Sequence, residues 1–594
     1  MKKQASYGHW SSPISAEWLT RSQKKFGNIA CDGTSVYWDE MRPSDGGRSV
    51  VVERKSDGTV VERMPDGKSC RSRVHEYGGA SFTASQGNVY YVNDKDQRIY
   101  LENDPLSESG TRCADLQVVQ DYLVAVGEKG KENFLFSLHL PTKMMQQIAS
   151  GHDFYASPTI SKDGSRIAYL TWDHPNMPWD GTTLWVADFK EGLLENPQAV
   201  AGSFGESIFQ PAWSEEGALY FVSDKTGWWN LYKDGEPICP MEAEFGLPQW
   251  QFGMSTYALT APETLLATYT QNSIWKLATL PPLQPLNLPW TFYTQIRVAD
   301  HSAAFIAASA TNDRSVVSLD LKTGKTTLLA HNPVPHLDPE TVSLPELISS
   351  PTHAIYYPPK NKEWEAPAGE LPPLLVMVHG GPTAQTLPIF DLKIQFWTSR
   401  GFAVLDINHR GSTGYGRPYR DALKKSWGLL DDCEAAAEAL IAQKKVDPKR
   451  VAIRGGSAGG YTTLAALTFG KTFTVGASYY GVSDLAALAL ETHKFESHYL
   501  DTLIGIYPEE KAAYEARSPL FHIDQLKCPI IFFQGADDLV VPPNQAELMY
   551  TALKKKGIKT DLVIYPEEQH GFRKAENIKD SLLRELKFYL DVWG

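Results

Sequence analysis

Residues 451–467 read Val-Ala-Ile-Arg-Gly-Gly-Ser-Ala-Gly-Gly-Tyr-Thr-Thr-Leu-Ala-Ala-Leu, which is an apolar run, a glycine-rich turn around Ser457 and then a helical pattern. In a turn this tight only small side chains fit around the serine, and the turn holds the Ser457 hydroxyl out at the top of a sheet. On its own the Gly-x-Ser-x-Gly pattern is weak, because a plain glycine loop can also end a strand. The predicted strand before it and the predicted helix after it favour a nucleophile elbow.

The same alternation of strands and helices extends from about residue 341 to the end of the chain. Continuous apolar runs are expected for strands that are buried on both faces of a parallel sheet. They occur at 374–378, 402–407, 451–453, 529–533 and 562–565, with helical patterns at 431–445, 545–556 and 579–592. The pattern predicts a doubly wound, mostly parallel sheet of the α/β-hydrolase type over residues 339–594.

Residues 26–338 show a different pattern, with short alternating runs separated by turn signals such as Asp163-Gly164. The runs also repeat, and residues 157–170 resemble residues 210–222. Unit starts near Asn28, Ala80, Leu116, Pro158, Pro211, Pro248 and Ala303 are about 46 residues apart, within the range of propeller blades. We therefore predict a seven-bladed β-propeller after an N-terminal extension of residues 1–25. A pair of β-sandwiches is the alternative, but it would not need this near-regular period.

A serine nucleophile needs a base, and in this fold the acid and then the histidine follow the serine along the chain. The loop after the predicted strand 529–533 offers two adjacent carboxylates, Asp537 and Asp538. The loop after the strand 562–565 offers His570, the only histidine beyond Ser457 that follows a predicted sheet strand. The residues themselves leave the choice between the two aspartates open.

The oxyanion that forms when the serine attacks needs two backbone N–H donors. One donor is expected from Ala458, the residue after the nucleophile, and the other from the loop His379-Gly380-Gly381-Pro382, which follows an early strand. Glycines in that loop would let the backbone approach a substrate closely. A plain strand-ending turn is the alternative interpretation of this loop.

Several stretches together resemble the prolyl oligopeptidase family of serine peptidases, and most of all its acylaminoacyl-peptidase and dipeptidyl aminopeptidase-like branch. In the C-terminal half the stretches that carry this resemblance are 379–382, 410–417, 455–460, 534–543 and 568–572. In the N-terminal half they are 42–48, 74–79 and 172–179. The resemblance therefore covers nearly the whole chain.

The resemblance implies a catalytic triad of Ser457, Asp538 and His570, with the amides of Gly381 and Ala458 as oxyanion donors. The sequence departs from the family at two positions. One branch has a tyrosine hydroxyl in the oxyanion hole, where this chain has His379. Several members place an arginine two residues after the acid to hold a substrate carbonyl, and here that residue is Val540.

The resemblance further implies a serine exopeptidase for short peptides or N-acylated amino acids, with the propeller limiting access to small substrates. An esterase or amidase for non-peptide substrates is the alternative, whereas an intact triad argues against a non-catalytic scaffold. Glu40 and Glu76 are candidate partners for a free substrate amine, although each could equally form a salt bridge in a propeller loop. Phe495, Tyr499 and Val540 are candidate walls of an apolar pocket.

Composition limits the partners. The chain has 594 residues and a net charge of −13, so nucleic acid is an unfavourable partner. Its six cysteines are scattered and predict neither a metal site nor disulfides. We find no secretory leader and no apolar run of membrane-spanning length, and therefore expect a cytoplasmic protein. The proposed chemistry needs no metal or organic cofactor, and the resemblance leaves a homo-oligomer open.

Overall fold

The computed structural model describes residues 2–21, 23–333, 337–429 and 431–594. Within these residues, seven four-stranded antiparallel sheets follow one another between Lys25 and His331. Each sheet is formed by one continuous segment, and the first strands of neighbouring sheets lie side by side. The predicted seven-bladed β-propeller is confirmed. Residues 334–336, which fall inside the predicted range 26–338, lie outside the described residues.

The strands of the first four blades, in chain order, are Lys25–Asp32, Ser35–Arg42, Arg48–Arg54 and Val60–Glu62; Phe82–Ser85, Asn88–Val92, Ile99–Leu101 and Asp104–Pro105; Arg112–Val119, Tyr122–Lys129, Glu132–His139 and Met144–Ala149; Phe154–Ile160, Arg166–Trp172, Thr182–Lys190 and Leu193–Ser203. Those of the last three are Ile208–Trp213, Leu219–Ser223, Asn230–Lys233 and Glu236–Pro237; Tyr257–Ala261, Thr264–Gln271, Ile274–Leu280 and Gln284–Pro285; Phe292–Ala299, Ser302–Ala308, Ser315–Asp320 and Thr326–His331.

The predicted unit starts match the first strands of five blades but not those of the last two. Pro248 precedes the first strand of the sixth blade, and Ala303 lies in the second strand of the seventh. The segment before the sixth blade is apolar because it packs elsewhere: the indole of Trp250 donates to the carbonyl of Thr383 in the other half of the chain, at 2.7 Å. In the sequence this apolar segment therefore resembles a blade strand, although it belongs to none of the seven propeller sheets.

The propeller ring closes through a side chain, since no strand is shared between the first and the last blade in the described residues. The amide of Asn332 accepts from the backbone N–H of Lys24 at 2.8 Å and donates to the carbonyl of the same residue at 3.0 Å. This pair of hydrogen bonds imitates one rung of a β-ladder, and it ties the residue after the last strand of the seventh blade to the residue before the first strand of the first.

The C-terminal half contains one eight-stranded sheet in the described residues, in the order β1-β2-β4-β3-β5-β6-β7-β8. Only the pairs β1–β2 and β2–β4 are antiparallel, so the predicted mostly parallel sheet is confirmed. The strand β6 was not predicted, because its small residues Gly476, Ala477 and Ser478 weaken the apolar signal. The strands are β1 (Glu346–Ile348), β2 (His353–Tyr357), β3 (Leu374–Val378), β4 (Ala403–Asn408), β5 (Val451–Gly456), β6 (Val475–Tyr479), β7 (Ile530–Gly535) and β8 (Thr560–Tyr565).

Helices cover this sheet and also form an insertion between β6 and β7. They are α1 (Leu392–Thr398), α2 (Arg417–Asp421), α3 (Asp432–Ala442), α4 (Ala458–Phe469), α5 (Leu485–Glu491), α6 (Tyr499–Leu503), α7 (Lys511–Arg517), α8 (Asn544–Lys555) and α9 (Ala575–Trp593). The N-terminal extension also contacts this half. Its strand Lys3–Gln4 pairs with the strand Trp364–Glu365, and a short helix follows at Trp18–Arg21.

A buried ion cluster joins the two halves. Asp224 of the fifth blade is fully buried and accepts from both Arg417 (2.8 Å) and Arg420, on α2 of the other half. The carboxylate of Glu244 accepts from the backbone N–H groups of Trp229 (2.8 Å) and Gly416 (3.0 Å). Charges are costly to bury unless they are paired, so these contacts fix how the propeller sits on the α/β half.

We expect Asp224→Asn to destabilise the protein, because the two arginines would remain buried without their shared carboxylate. The loss should be about 3 kcal/mol, the usual size when one partner of a buried pair is removed. Urea unfolding followed by tryptophan fluorescence measures it. Asp300→Asn, at an exposed aspartate of a propeller turn, is the matched control, and equal midpoints for the two variants would show that the cluster contributes nothing.

Candidate active site

Ser457 lies between β5 and α4 with φ 58° and ψ −123°, a backbone conformation that non-glycine residues rarely adopt. Two glycines make this turn possible. A Cβ on Gly455 would lie 2.3 Å from the carbonyl oxygen of Gly459, and a Cβ on Gly459 would lie 2.3 Å from that of Val378. The backbone N–H of Ser457 donates to the carbonyl of Tyr479 at 3.0 Å. The sequence predicted this elbow because the turn has room for no larger side chains.

His570 and Asp538 are joined by a hydrogen bond of 2.8 Å between Nδ1 and Oδ2. Asp538 is buried, and its other oxygen accepts from the backbone N–H groups of Val540 and Val541, both at 2.9 Å. Asp537, in the same turn, is exposed and lines the cavity beside His570. Since a carboxylate can only accept, Nδ1 carries the proton and the lone pair of Nε2 is left for another group.

Nε2 of His570 is buried and has no hydrogen-bond partner among the described residues. The bond to the Ser457 hydroxyl is therefore not formed in this structure. The two loops nevertheless meet at the ring of Tyr480: its centroid is 4.8 Å from that of His570, and a Cβ on Gly456 would lie 2.9 Å from its Cε2 atom. Catalytic hydrogen bonds are often loose without substrate and shorten when it binds.

The loop at the end of β3 lies against the nucleophile. A Cβ on Gly380 would be 3.4 Å from the Cβ of Ser457. The next residue, Gly381, has φ +120°, which a larger residue rarely adopts. Ala458 begins α4, so no carbonyl of its own helix can accept from its N–H. The two expected oxyanion donors thus belong to loops that are in contact beside Ser457.

His379 holds this loop in place without pointing its ring at an oxyanion. Its Nδ1 donates to the carbonyl of Gly380 and its Nε2 accepts from the hydroxyl of Ser412, both at 2.8 Å. Burial lowers the pKa of His379 to about 3, and the stacked ring of His409 adds to this effect. The imidazole is therefore neutral. Ser412 was missed by the sequence analysis, although it belongs to the motif 410–417.

A cavity of about 460 Å³ separates the propeller from the α/β half at His570. Val540 and Glu76 line it, as expected for residues that face a substrate. The carboxylate of Glu76 is already paired with Arg112, at 2.6 Å. Arg71, whose guanidinium forms no ion pair within the described residues, and Tyr77 also line this cavity. Glu76 thus faces the cavity with its negative charge already paired with that of Arg112.

Glu40 does not reach this cavity. Side chains alternate along the strand Ser35–Arg42, so Asp39 and Met41 line the cavity with His570, whereas Glu40 faces a separate one. There Glu40 accepts from Arg42 at 2.6 Å and from Lys24 at 2.9 Å. The candidate role of Glu40 in binding a substrate amine is corrected to the alternative, a salt bridge in the propeller.

Phe495 and Tyr499 do not line the cavity either, and their expected position as open pocket walls is corrected here. Both are buried in an aromatic cluster between the two halves. The ring of Phe495 stacks on His75 at 4.9 Å, and the hydroxyl of Tyr499 is 2.6 Å from Oγ1 of Thr383. The cluster also contains Trp250, whose ring centroid is 5.2 Å from that of Tyr77 on the cavity wall. These residues therefore support the wall from behind.

The described residues contain no group of three or more His, Cys, Asp or Glu side chains that could hold a metal ion. None of the helices in the described ranges combines the length and the apolar character that crossing a membrane requires.

Comparisons with known proteins agree with this geometry. A model of the prolyl oligopeptidase family matches residues 388–594. The structure of a puromycin-hydrolyzing peptidase from Mycobacterium tuberculosis is 37% identical, covers 100% of this chain and 98% of its own, and superposes with a TM-score of 0.96. The chain belongs to the prolyl oligopeptidase family.

Curated members of the family resemble a smaller part of this chain. Dipeptidyl peptidase family member 6 from Caenorhabditis elegans is 36% identical over 217 residues, which are 34% of this chain and 29% of that protein. Dipeptidyl aminopeptidase BIII from Pseudoxanthomonas mexicana is 34% identical over 215 residues, 35% of this chain and 31% of that enzyme. The chain thus matches less than a third of the length of either relative.

Asp538→Asn is expected to reduce kcat for an amide substrate by roughly 10⁴-fold, because the imidazole would adopt the wrong tautomer. The neighbouring Asp537→Asn is the matched control and should keep kcat within about threefold, since Asp538 and not Asp537 is hydrogen-bonded to His570. Steady-state kinetics on an aminoacyl anilide measures both. Similar losses in the two variants would contradict the assignment of Asp538.

Proposed function

We propose that this protein is a serine exopeptidase that hydrolyses short peptides or N-acylated amino acids through an acyl-enzyme on Ser457. The observation that carries the proposal is the pair Asp538–His570, whose Nε2 has no hydrogen-bond partner within the described part of the chain. The imidazole ring and the Ser457 elbow both lie beside the ring of Tyr480. A buried carboxylate that fixes the tautomer of a histidine beside a strained serine is the arrangement that acyl transfer needs.

In the proposed reaction the Ser457 hydroxyl attacks the substrate carbonyl while Nε2 of His570 takes its proton. The oxyanion accepts hydrogen bonds from the N–H groups of Gly381 and Ala458. When the intermediate collapses, the imidazolium gives the proton to the leaving amine, which departs and leaves an ester on Ser457. Water then attacks this ester while Nε2 of His570 takes its proton, and the imidazolium returns that proton to Ser457 Oγ as the carboxylic acid product leaves. Each step moves one proton through one imidazole.

The position of the propeller supports a preference for small substrates. The ring lies over the loops that carry the triad, and the cavity between the halves measures about 460 Å³. A folded protein cannot enter a space of this size, whereas a short peptide can. The similar protein from Mycobacterium tuberculosis is described as a puromycin-hydrolyzing peptidase, and puromycin is also a small molecule. The residues with which this chain holds such substrates, Glu76 and Val540 among them, remain part of the proposal.

We place the protein in the cytoplasm with small molecules as its partners. All six cysteines are free, as expected in a reducing compartment, and the net charge of −13 is unfavourable for nucleic acid. A second copy of this chain is a further partner in this proposal. Size-exclusion chromatography with light scattering tests whether the protein forms such a homo-oligomer.

The proposal is tested by labelling with a fluorophosphonate and by a substrate panel. The wild type and Ser150→Ala, at an exposed serine, should be labelled, and Ser457→Ala should lose both the label and roughly 10⁶-fold of kcat, the usual cost of removing a triad nucleophile. The panel contains free, acetylated and dipeptidyl anilides, puromycin and short-chain esters. Turnover of the esters alone would replace the peptidase by the esterase, and full turnover by Ser457→Ala would end the hydrolase proposal.

A further inference from the structure

Glu496 is a buried carboxylate near the candidate triad that no sequence motif identified. It lies in the insertion between β6 and β7, in a single 3-10 turn at Lys494–Glu496. The hydroxyl of Tyr77, from the propeller, donates to its Oε1 at 2.5 Å. Tyr77 lines the cavity at His570, so Glu496 is joined directly to the wall of that cavity.

No cation neutralises this carboxylate. Within the described residues no lysine or arginine forms an ion pair with Glu496, and its neighbour Lys494 is turned toward Asp153 and Asn133. The nearest basic group is Nε2 of His493, 3.9 Å from Oε2. Burial and the charge of His570 lower the pKa of His493 to about 3, so this ring is neutral. Burying a carboxylate without an ion-pair partner is costly, so such a group is unusual unless a ligand supplies the positive charge.

One oxygen of Glu496 remains available to a ligand. Oε1 is occupied by the Tyr77 hydroxyl, while the described residues offer no hydrogen bond to Oε2. The side chain keeps 13% of its surface accessible. The carboxylate also lies near the triad, because its hydrogen-bond partner Tyr77 lines the same cavity as His570. A positively charged group beside the reacting carbonyl could therefore reach Oε2.

The chemistry of the substrate identifies that group. The α-amine of an amino acid is only about 2.5 Å from its own carbonyl carbon. A carboxylate that binds this amine must consequently lie beside the triad, while one that binds the terminus of a longer acyl segment must lie about 3.5 Å further away for each added residue. Glu496 is the candidate for the first condition, because Tyr77 joins it to the cavity at His570. Glu76 is paired with Arg112, and Glu40 faces another cavity.

We propose that Glu496, held by Tyr77, binds the free α-ammonium of the amino acid whose carbonyl Ser457 attacks. This inference rests on the proposed function and narrows it, because it makes the protein an aminopeptidase for unblocked substrates. The ammonium donates to Oε2 and supplies the charge that the buried carboxylate lacks. An N-acylated substrate lacks this positive charge. Its acyl group would therefore leave the Glu496 carboxylate without an ion-pair partner.

The test compares Glu496→Gln with the wild type on two anilides of the same amino acid, one with a free amine and one acetylated. The ratio of kcat/KM for the free over the acetylated substrate should fall roughly 100-fold, because glutamine keeps the shape but not the charge. Glu509→Gln, at an exposed glutamate of the same insertion, is the matched control and should keep the wild-type ratio. A ratio that Glu496→Gln leaves unchanged would overturn the proposal.

Tyr77→Phe is a second variant in case Glu496→Gln folds poorly. It keeps the ring and removes the hydroxyl that orients Oε1, so the same ratio should fall about 5-fold. The rate of fluorophosphonate labelling at Ser457 shows whether the triad is intact in each variant. If the wild type neither is labelled nor turns over either anilide, the proposed function fails. If it is labelled and prefers the acetylated anilide, only the role of Glu496 fails.

The pH dependence of the wild type gives an independent readout. Burial, with a smaller contribution from Asp538, raises the pKa of Glu496 to about 7, while the Tyr77 hydroxyl and His570 oppose this rise; the neutral His493 is the remaining titratable neighbour. The carboxylate is therefore lost as the pH falls below 7. The free-over-acetylated ratio should decrease from pH 7 to pH 5, a range in which the α-ammonium of the free substrate, with an ordinary pKa of about 8, stays protonated. Protonation of His570 cancels in this ratio, and a constant ratio would contradict the proposal.

Discussion

The strained turn at Ser457 is the constraint on which the rest of the structure depends. A serine at φ 58° is held there because β5 ends against β3 and because α4 starts in the space that Gly455 and Gly459 leave free. Strain of this kind persists only where the surrounding structure fixes it. The same close packing brings the loop of Gly380 against the Cβ of Ser457, so one backbone arrangement positions the nucleophile and the expected oxyanion donors together.

The carboxylates between the two halves are of two kinds: some are fully hydrogen-bonded within the protein, and others keep an oxygen available to a ligand. Asp224 is shared by Arg417 and Arg420, and Glu244 accepts from two backbone amides, so both are satisfied by the fold itself. Glu496 is less completely buried, with 13% of its side chain accessible, and in the described part of the chain it receives only the Tyr77 hydroxyl. Glu496 therefore differs from Asp224 and Glu244 in having one carboxylate oxygen without a hydrogen-bond partner among the described residues.

In the proposed enzyme the propeller contributes to substrate binding as well as to access. Its loops supply Glu76, Tyr77 and the paired Arg112 to the cavity, while the α/β half supplies His570 and Val540. The cavity is complete only when the two halves meet, and the ion cluster at Asp224 holds them in that position. Selection of small substrates and recognition of a chain end are therefore consequences of the same interface in the proposed enzyme.

The sequence by itself determined what depends on neighbouring residues. The elbow, the order of serine, acid and histidine, and the seven repeats follow from local sterics, strand periodicity and turn chemistry, and the resemblance selected Asp538 from two adjacent aspartates. Residues whose placement depends on the partner element were not predictable. Because side chains alternate along a strand, Asp39 faces the cavity and Glu40 faces away from it. The segment before the sixth blade is apolar because it packs on the other half of the chain, and in the sequence it therefore resembled a strand. Tyr77 and Glu496 are 419 residues apart. Only the tertiary structure could bring them into contact, because no local pattern records which distant segment will cover a side chain.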